Sequence, residues 1–257
     1  MTENQKQNFE RLVGVIKKLL DPGGCDWDRE QTHESLVPYL LEETYEVIES
    51  IETGDMAALK EELGDLMLHV IFQAELADRE GHFTLSESLK GVSDKLIERH
   101  PHVFSDAKNP KDEGMTWEQI KKKTKNRESV LDGVPKHLPS LTKARRIQEK
   151  ASSVGFDWKE IEPVWAKVDE EIDELKSATD ENDIEHIKEE LGDVLFSLVN
   201  LARFLDIDPD GSLRSTILKF ENRFKKVEKV LSEKGKTVQE SDLDEMDQIW
   251  NDIKKNK

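Results

Sequence analysis

The amino-acid sequence predicts an all-α protein that is built from two tandem, homologous helical-bundle domains. Six residues at 60–65 (KEELGD) recur letter for letter at 188–193, and shorter matching motifs keep the same order in both halves of the chain. Such self-similarity is the signature of an internal repeat. Apolar residues recur at helical spacing through most of both halves. We therefore expect an N-terminal domain at 1–125, a linker at 126–139 and a C-terminal domain at 140–257.

The composition restricts the partners of the protein. Its 257 residues are 37% charged and 35% hydrophobic, with a formal net charge of −18. A chain this acidic has no bulk attraction for nucleic acids or anionic membranes, so we expect neither as a partner. It contains no stretch of about 18 apolar residues, and its polar start lacks an apolar signal region. With Cys25 as the single cysteine, these features predict a cytoplasmic protein without disulfides.

The first half is expected to form four helices and a shorter fifth one. An apolar stripe that includes Ile16 and Leu20 predicts the first helix, which the turn residues Asp21–Gly24 stop. Gly54 and Asp55 separate the second helix from the third in the same way. The expected helices are 8–20, 34–53, 56–80 and 84–100, followed by 116–125, which contains Trp117, Ile120 and Lys121.

The second half repeats this plan. Gly155–Trp158 (GFDW) matches Gly24–Trp27 (GCDW), and Trp250 is followed by Ile and Lys at the same spacing as Trp117. Lys219 and Arg223 match Lys95 and Arg99. The expected helices are 140–152, 162–177, 184–205 and 212–233.

We call the KEELGD segment at 60–65 and 188–193 the repeated phrase. Carboxylates cluster before and within each copy of it. Residues three or four apart share a helix face, so carboxylates from two antiparallel helices should converge on one groove. Unpaired, they would repel one another and raise each other's pKa. Hard divalent cations relieve this repulsion, so the clusters predict Mg²⁺ sites, with Mn²⁺ also suited. The expected ligands are Glu171, Glu174, Glu190 and Asp193 in the second domain, and Glu43, Glu46, Glu62 and Asp65 in the first.

The glycine before each aspartate of the phrase supports this interpretation. Glycine inside a helix costs about 1 kcal/mol relative to alanine. Gly64 and Gly192 therefore indicate that another helix or a ligand approaches closely.

Two alternatives for the clusters stay open at the sequence level. Glutamate-rich amphipathic helices often present a solvated face without any ligand. A di-iron bundle needs two Glu-x-x-His pairs, whereas only Glu30-x-x-His33 is present, outside either cluster. His100 and His102 close a helix and are interpreted as structural.

Cationic and aromatic residues supply candidate substrate contacts. Lys219 and Arg223 lie one turn apart on a predicted helix that could cover the groove, and Lys254 lies one turn past Trp250. Lysine and arginine stabilise charge on transferring phosphoryl groups. Trp158, in a loop after a glycine, is a candidate for stacking on a base. The alternatives are solvated helix faces for the cations and core packing for the tryptophans.

With these motifs in hand, the sequence resembles the MazG family of nucleoside triphosphate pyrophosphohydrolases over essentially its whole length. The family pattern of EExxE followed by ExxD is met twice, by Glu170–Glu174 with Glu190–Asp193 and by Glu42–Glu46 with Glu62–Asp65. Asp26 stands where the family usually has proline. The resemblance implies the all-α NTP pyrophosphatase fold, Mg²⁺ dependence, homodimers, and cleavage of NTP or dNTP to the monophosphate and pyrophosphate. It also implies that the motif carboxylates are the metal ligands.

The two copies differ two turns beyond the phrase, where Asn200 stands in the second and Phe72 in the first. An amide can bind a ribose or base, so we expect most of the activity in the C-terminal domain. Metal-assisted hydrolysis is the expected mechanism. Glu170 or another carboxylate of the cluster would accept the proton of water. Lys219 and Arg223 would neutralise charge on the leaving pyrophosphate.

Two alternatives to this function remain. The chain could be a non-catalytic acidic adaptor whose grooves bind a basic partner, or an enzyme in which only one domain is active. Metal-dependent release of pyrophosphate from nucleotides separates the adaptor from the enzyme.

Overall fold

A computed structural model of the chain describes residues 2–104 and 129–255. The chain divides into two compact units, Met1–Glu113 and Gly114–Lys257, which we call the N-terminal unit and the C-terminal unit. Every regular element in the described ranges is a helix, so the all-α prediction is confirmed. None of these helices combines the length and the apolar character that crossing a bilayer requires.

The N-terminal unit is organised around its longest described helix, α4, against which α1, α3 and α5 pack. Their shared core contains Ile16 and Leu20 from α1, Leu36 before α3, and Ile71 and Phe72 from α4. The described helices are α1 Glu3–Leu20, α2 Asp26–Arg29, α3 Val37–Thr53, α4 Met56–Arg79, α5 Leu85–Arg99 and α6 Pro101–Phe104.

Local sequence signals set the ends of these helices. Thr2 and Gln5 form a capping box, so α1 begins earlier than the predicted start at residue 8. Gly54 has a φ of 73° and ends α3 in the left-handed conformation that glycine tolerates. The Asp55 side chain then accepts two backbone N–H groups at the start of α4, each at 3.0 Å.

The C-terminal unit, like the N-terminal unit, is organised around two helices that follow each other in the chain and pack together. Helix α9 packs against α8 and α7, and α10 packs against α7 and α11. Two groups of buried residues hold these contacts: Val164, Val168 and Leu201 between α8 and α9, and Val227, Leu231 and Ile249 between α10 and α11. The elements are α7 Ser140–Ser152, α8 Glu162–Glu181, α9 Ile184–Phe204, α10 Pro209–Glu233, a 3₁₀ turn Val238–Glu240 and α11 Leu243–Lys255.

Eight of the predicted helices are present in the predicted order, as α1, α3, α4, α5, α7, α8, α9 and α10. The helices α2, α6 and α11 were not predicted. The predicted helix 116–125, with Trp117, Ile120 and Lys121, lies outside the described residues, as do residues 126–128 of the predicted linker. The domain limits at 1–125 and 140–257 therefore stay a prediction.

Candidate functional site

A tight reversal between α8 and α9 brings their carboxylates together. Asn182 has a φ of 57° and ends α8. The next residue, Asp183, caps α9 by accepting the backbone N–H of Glu185 at 3.0 Å and of His186 at 3.3 Å. Because so few residues separate them, the two helices run antiparallel as direct neighbours. The EExxE segment of α8 therefore faces the repeated phrase of α9.

Three carboxylates converge between α8 and α9. Glu171, Glu174 and Glu190 each offer an oxygen, and these oxygens all lie within 4.8 Å of one another. We call these three residues the C-terminal acidic cluster. Glu171 is only 7% exposed, so its negative charge is largely removed from water. Closely spaced carboxylates around one buried member repel one another unless a cation compensates their charge.

Repulsion within the cluster and attraction to a neighbouring lysine both shift pKa values. Loss of hydration, followed by repulsion from Glu171 and Glu190, raises the pKa of Glu174. Lys167 supplies part of the compensation, since its Nζ lies 2.7 Å from Glu171 Oε1 and 3.0 Å from Glu170 Oε1. These hydrogen bonds, led by the one to Glu171, raise the pKa of Lys167.

The N-terminal unit repeats the cluster between α3 and α4. Glu43, Glu62 and Asp65 offer oxygens within 4.8 Å of one another, and we call them the N-terminal acidic cluster. Loss of hydration raises the pKa of Glu43, followed by repulsion from Asp65 and then from other neighbouring carboxylates. Loss of hydration also raises the pKa of Glu62, followed by repulsion from Glu46. In each unit three of the four predicted ligands are thus brought together.

The compensating lysine has no counterpart in the N-terminal unit. The repeated phrase aligns Lys167 with Tyr39. The Tyr39 ring contacts Trp27 edge-on, with 5.9 Å between the ring centroids. A neutral aromatic ring therefore occupies the position from which Lys167 reaches its cluster.

A cavity of about 800 Å³ opens beside the C-terminal acidic cluster. Glu171, Asp193 and Lys167 lie on its wall, so charged groups from the cluster and its surroundings face the cavity. Most of the remaining wall is apolar, and the polar exceptions are Gln148, Asp157, Ser197, Asn200 and Arg203. Apolar walls with a few placed polar groups are typical of ligand sites.

The equivalent positions of the N-terminal unit are filled by larger side chains. The repeated phrase aligns Ser197 with His69 and Asn200 with Phe72. His69 and Phe72 are 6% and 3% exposed, and Phe72 is part of the core of its unit. The cavity of the C-terminal unit thus lies where its homologue has packed core.

A hydrogen-bonded network fixes one side of this cavity. Arg203 donates to both oxygens of Asp157, at 2.9 and 2.6 Å, and its Nε donates to Asn200 Oδ1 at 2.9 Å. Ser152 donates to the same carboxylate at 2.6 Å. Burial alone would raise the pKa of Asp157, but the bonds from Arg203 and Ser152 lower it. The network holds the loop of Trp158 and orients the amide of Asn200.

Not all sequence-predicted site residues meet at this cavity. Asp193, Asn200 and Trp158 line it. Glu170 lies outside the acidic cluster, with a side chain 55% exposed and bonded to Lys167.

The three predicted phosphate-binding cations are not among the cavity-lining residues. Lys219 and Lys254 are exposed on α10 and α11. The Arg223 guanidinium lies over the Trp250 ring, 5.7 Å from its centroid. Their roles stay predictions.

The sequence analysis missed several residues of the site, among them Lys167, Arg203 and Gln148. Lys167 precedes Glu171 by one helical turn and Arg203 follows Asn200 by one turn, so helical spacing could have identified both. Gln148 comes from α7, and no local signal relates it to α8 and α9. Its place on the cavity wall depends on tertiary packing alone.

Comparisons with known proteins identify the family of the chain. The family model described as the MazG nucleotide pyrophosphohydrolase domain matches residues 31–104 and again residues 160–228. The nucleoside triphosphate pyrophosphohydrolase/pyrophosphatase MazG of Thermotoga maritima is 47% identical over 248 residues, which cover 96% of this chain and 95% of that protein. The nucleoside triphosphate pyrophosphohydrolase of Escherichia coli strain K12 is 42% identical over 255 residues, covering 96% and 97%. The uncharacterized protein YabN of Bacillus subtilis is 44% identical over 251 residues, covering 96% of this chain and 51% of that protein.

Proposed function

Because the chain belongs to the MazG nucleotide pyrophosphohydrolase family, we propose that it hydrolyses NTPs or dNTPs to the corresponding monophosphate and pyrophosphate. We place the main active site in the C-terminal unit. The observation that carries this placement is the cavity of about 800 Å³ beside Glu171 and Asp193. It combines a space for a nucleoside with carboxylates suited to a metal-bound triphosphate.

Mg²⁺, with Mn²⁺ as the alternative, is the cation we propose for the acidic clusters. All the donors are carboxylate oxygens, which hard divalent cations prefer. A cation would relieve the repulsion that contributes to the raised pKa of Glu174. When bound, the metal supplies charge neutralisation on phosphate oxygens and a water of lowered pKa. The residues that would hold it are Glu171, Glu174, Glu190 and Asp193, with Glu43, Glu46, Glu62 and Asp65 as their counterparts.

Side chains near the cavity and the cluster have the remaining proposed roles. We propose that the Trp158 ring stacks on the base and that the Asn200 amide donates to the ribose or base, since both lie on the cavity wall. Glu170 accepts the proton of the attacking water, because its carboxylate is accessible and close to the cluster. Lys167 holds Glu170 and Glu171 in place through its two hydrogen bonds.

Lys219, Arg223 and Lys254 are proposed to neutralise the triphosphate and the leaving pyrophosphate. Since they are not part of the cavity wall, this contact requires one of two arrangements. Either the triphosphate extends beyond the cavity, or a second copy of the chain supplies these cations.

A homodimer is supported by exposed apolar residues on the central helices. Leu191, Leu195 and Leu198 share one face of α9 and are 48%, 48% and 42% exposed. Their homologues on α4, Leu63, Met67 and Val70, are exposed in the same way. We expect Leu195→Glu to shift the protein to a monomer in analytical ultracentrifugation. Leu243→Glu, at a position 75% exposed on α11, is the matched control and should leave the mass unchanged.

We also propose that the protein works in the cytoplasm. Its single cysteine, Cys25, is free, which suits a reducing compartment. Immunoblots of cell fractions with an antibody against the chain test this location.

The central experiment compares two matched charge-removing variants. Glu171→Gln should lower Mg²⁺-dependent pyrophosphate release far more than Glu43→Gln, because the cavity adjoins Glu171. Products are resolved as monophosphate plus pyrophosphate or diphosphate plus phosphate, over all eight common NTPs and dNTPs. A larger loss in Glu43→Gln would show that the N-terminal unit is the main site. No metal-dependent pyrophosphate release from any nucleotide would instead favour the acidic adaptor.

A further inference from the structure

Gln148 carries an unused hydrogen-bond acceptor on the wall of the cavity. This residue of α7 is 7% exposed and lines the cavity. Its Nε2 donates to the backbone carbonyl oxygen of Phe196 at 2.8 Å. Its Oε1 is buried and has no hydrogen-bond partner among the residues that the structure describes. Buried polar atoms without a partner are rare in folded proteins and call for an explanation.

The orientation of the Gln148 amide follows from its single bond. A carbonyl oxygen can only accept, so the amide must turn its NH₂ group toward Phe196. The oxygen is therefore the end left without a partner. Gln148 can therefore accept a hydrogen bond from a ligand at Oε1, but it cannot donate a hydrogen bond from that atom.

Several other polar groups of the wall already have partners. Asp157 and Arg203 bind each other, Lys167 binds Glu171 and Glu170, and the Ser197 hydroxyl donates to the carbonyl of Val194 at 2.9 Å. Gln148 differs from these residues because its buried Oε1 has no partner among the described residues.

Asn200 complements Gln148 on the same wall. Its Oδ1 accepts from Arg203 Nε at 2.9 Å, so its NH₂ group is the end left to donate. The cavity therefore presents one amide as an acceptor and another as a donor within a mostly apolar lining. That combination suits a nucleoside, whose rings are apolar on their faces and carry donors and acceptors at their edges.

We propose that Gln148 is a specificity-determining residue whose Oε1 accepts a hydrogen bond from the nucleoside part of the substrate. This rests on the proposed function of the C-terminal unit. The donor is either an N–H at the edge of the base or a hydroxyl of the ribose. A site built to satisfy such a bond discriminates against an analogue that lacks the donor, because the buried acceptor then stays unpaired.

The experiment removes one donor at a time from the substrate of the full-length protein with Mg²⁺. ATP and ITP carry an N–H at the six-membered ring edge, and purine riboside triphosphate carries none. CTP and pyrimidin-2-one riboside triphosphate form the pyrimidine pair. The 2′-deoxy and 3′-deoxy forms of ATP remove the ribose hydroxyls. For wild-type protein, we expect loss of one of these donors to lower kcat/KM by about tenfold or more.

The variant Gln148→Met keeps the length of the side chain and removes the acceptor. It should lose the preference for that donor while still hydrolysing the analogue that lacks it. Gln73→Met is the matched control, because Gln73 Nε2 also donates to a backbone carbonyl, that of His33 at 3.2 Å, but in the N-terminal unit. This control should keep the wild-type preference. If circular dichroism shows that Gln148→Met is unfolded, Gln148→Asn withdraws the acceptor with a smaller change.

The outcomes separate this proposal from the proposed function. Equal hydrolysis of all donor-deleted analogues by wild-type protein would overturn the role of Gln148, as would an unchanged preference in the folded Gln148 variant. Wild-type protein that releases no pyrophosphate from any nucleotide would overturn the proposed function itself. A base analogue or a deoxy analogue as the discriminated substrate identifies the donor as N–H or hydroxyl.

Discussion

Single side chains distinguish two units that share the same phrase. At homologous positions, Asn200 lines a cavity and Phe72 packs within a core. Ser197 and His69 differ in the same sense, with the smaller side chain on the cavity side. The identical KEELGD residues therefore set the backbone and the carboxylates, whereas the residues one and two turns later decide whether a ligand can enter.

We expect Phe72→Asn to destabilise the N-terminal unit. Removing a buried phenylalanine costs about 3–5 kcal/mol, and Phe72 is 3% exposed. The new amide would also lose its hydrogen bonds to water on burial. Urea unfolding followed by circular dichroism measures the change. Met56→Asn, on the same helix but 64% exposed, should cost less than about 1 kcal/mol, and an equal loss in both variants would contradict the role of Phe72 in the core.

Asp157→Asn should weaken the C-terminal unit in a pH-dependent manner. The side chains of Asp157 and Arg203 are 20% and 11% exposed, and removing one partner of such a pair costs about 3 kcal/mol. The lowered pKa of Asp157 means that its contribution is present above its ordinary pKa of 3.8 and is lost as pH falls through the lowered value. Urea unfolding of wild-type and variant protein should therefore differ most near neutral pH and converge in acid.

Ser152→Ala provides the comparison for this prediction. It removes the 2.6 Å hydrogen bond to the same carboxylate and leaves the charge pair intact. We expect a loss of about 1 kcal/mol. A difference between wild type and Asp157→Asn that stays constant into strong acid would show that the charge of Asp157 does not contribute.

Helices and their ends account for most of what the sequence could predict. The order of the helices follows from apolar spacing and from stop signals such as Gly54 and Asp55, because both act locally. The convergence of Glu171 with Glu190 follows from the same spacing and a short reversal. The cavity could not be predicted in this way, because α7 contributes Gln148 to its wall and packing between distant segments has no local signature.

The two helical glycines, Gly64 and Gly192, do not have the close helix contact that their positions could predict. Their cost in a helix predicts close approach of another helix or a ligand. Within the described chain, however, a Cβ atom added at Gly64 or Gly192 meets nothing within 4 Å. None of the described helices of the chain therefore explains either glycine, and a ligand or a second copy of the chain is the explanation that we propose to test.

Replacing Gly192 with alanine tests this explanation. Alanine should stabilise α9 by up to about 1 kcal/mol, since the added Cβ has space. Because Gly192 lies between Glu190 and Asp193, we expect kcat/KM for the preferred nucleotide to fall although the Tm rises. Gly64→Ala should raise the Tm without this loss. Full activity in Gly192→Ala would show that nothing approaches this position during the reaction.

At the scale of the whole molecule, the acidic charge and the proposed cation belong together. The formal net charge is −18, and each acidic cluster brings three carboxylates within 4.8 Å of one another. Compact states with such self-repulsion are destabilised unless cations screen or bind them. If the clusters bind the proposed cation, its binding should stabilise the fold as well as support catalysis.

This linkage predicts how Mg²⁺ should stabilise the protein at different pH. In both clusters, loss of hydration and neighbouring carboxylates raise the pKa of Glu43, Glu62 and Glu174. A raised pKa means that the protonated form contributes stability below the ordinary value of 4.5, and that this contribution is lost as pH rises through the raised value. Mg²⁺ competes with these protons, so its stabilising effect should grow from pH 5 to pH 8.

Thermal unfolding with and without Mg²⁺ at each pH measures the effect. KCl at matched ionic strength serves as the control, because screening alone acts on the whole charge of the chain rather than on two sites. The variant Glu171→Gln should lose part of the Mg²⁺-dependent rise in Tm, and Glu43→Gln a separate part, since each removes a carboxylate from a different cluster. If KCl reproduced the full rise at every pH, the clusters would be solvated acidic faces rather than metal sites.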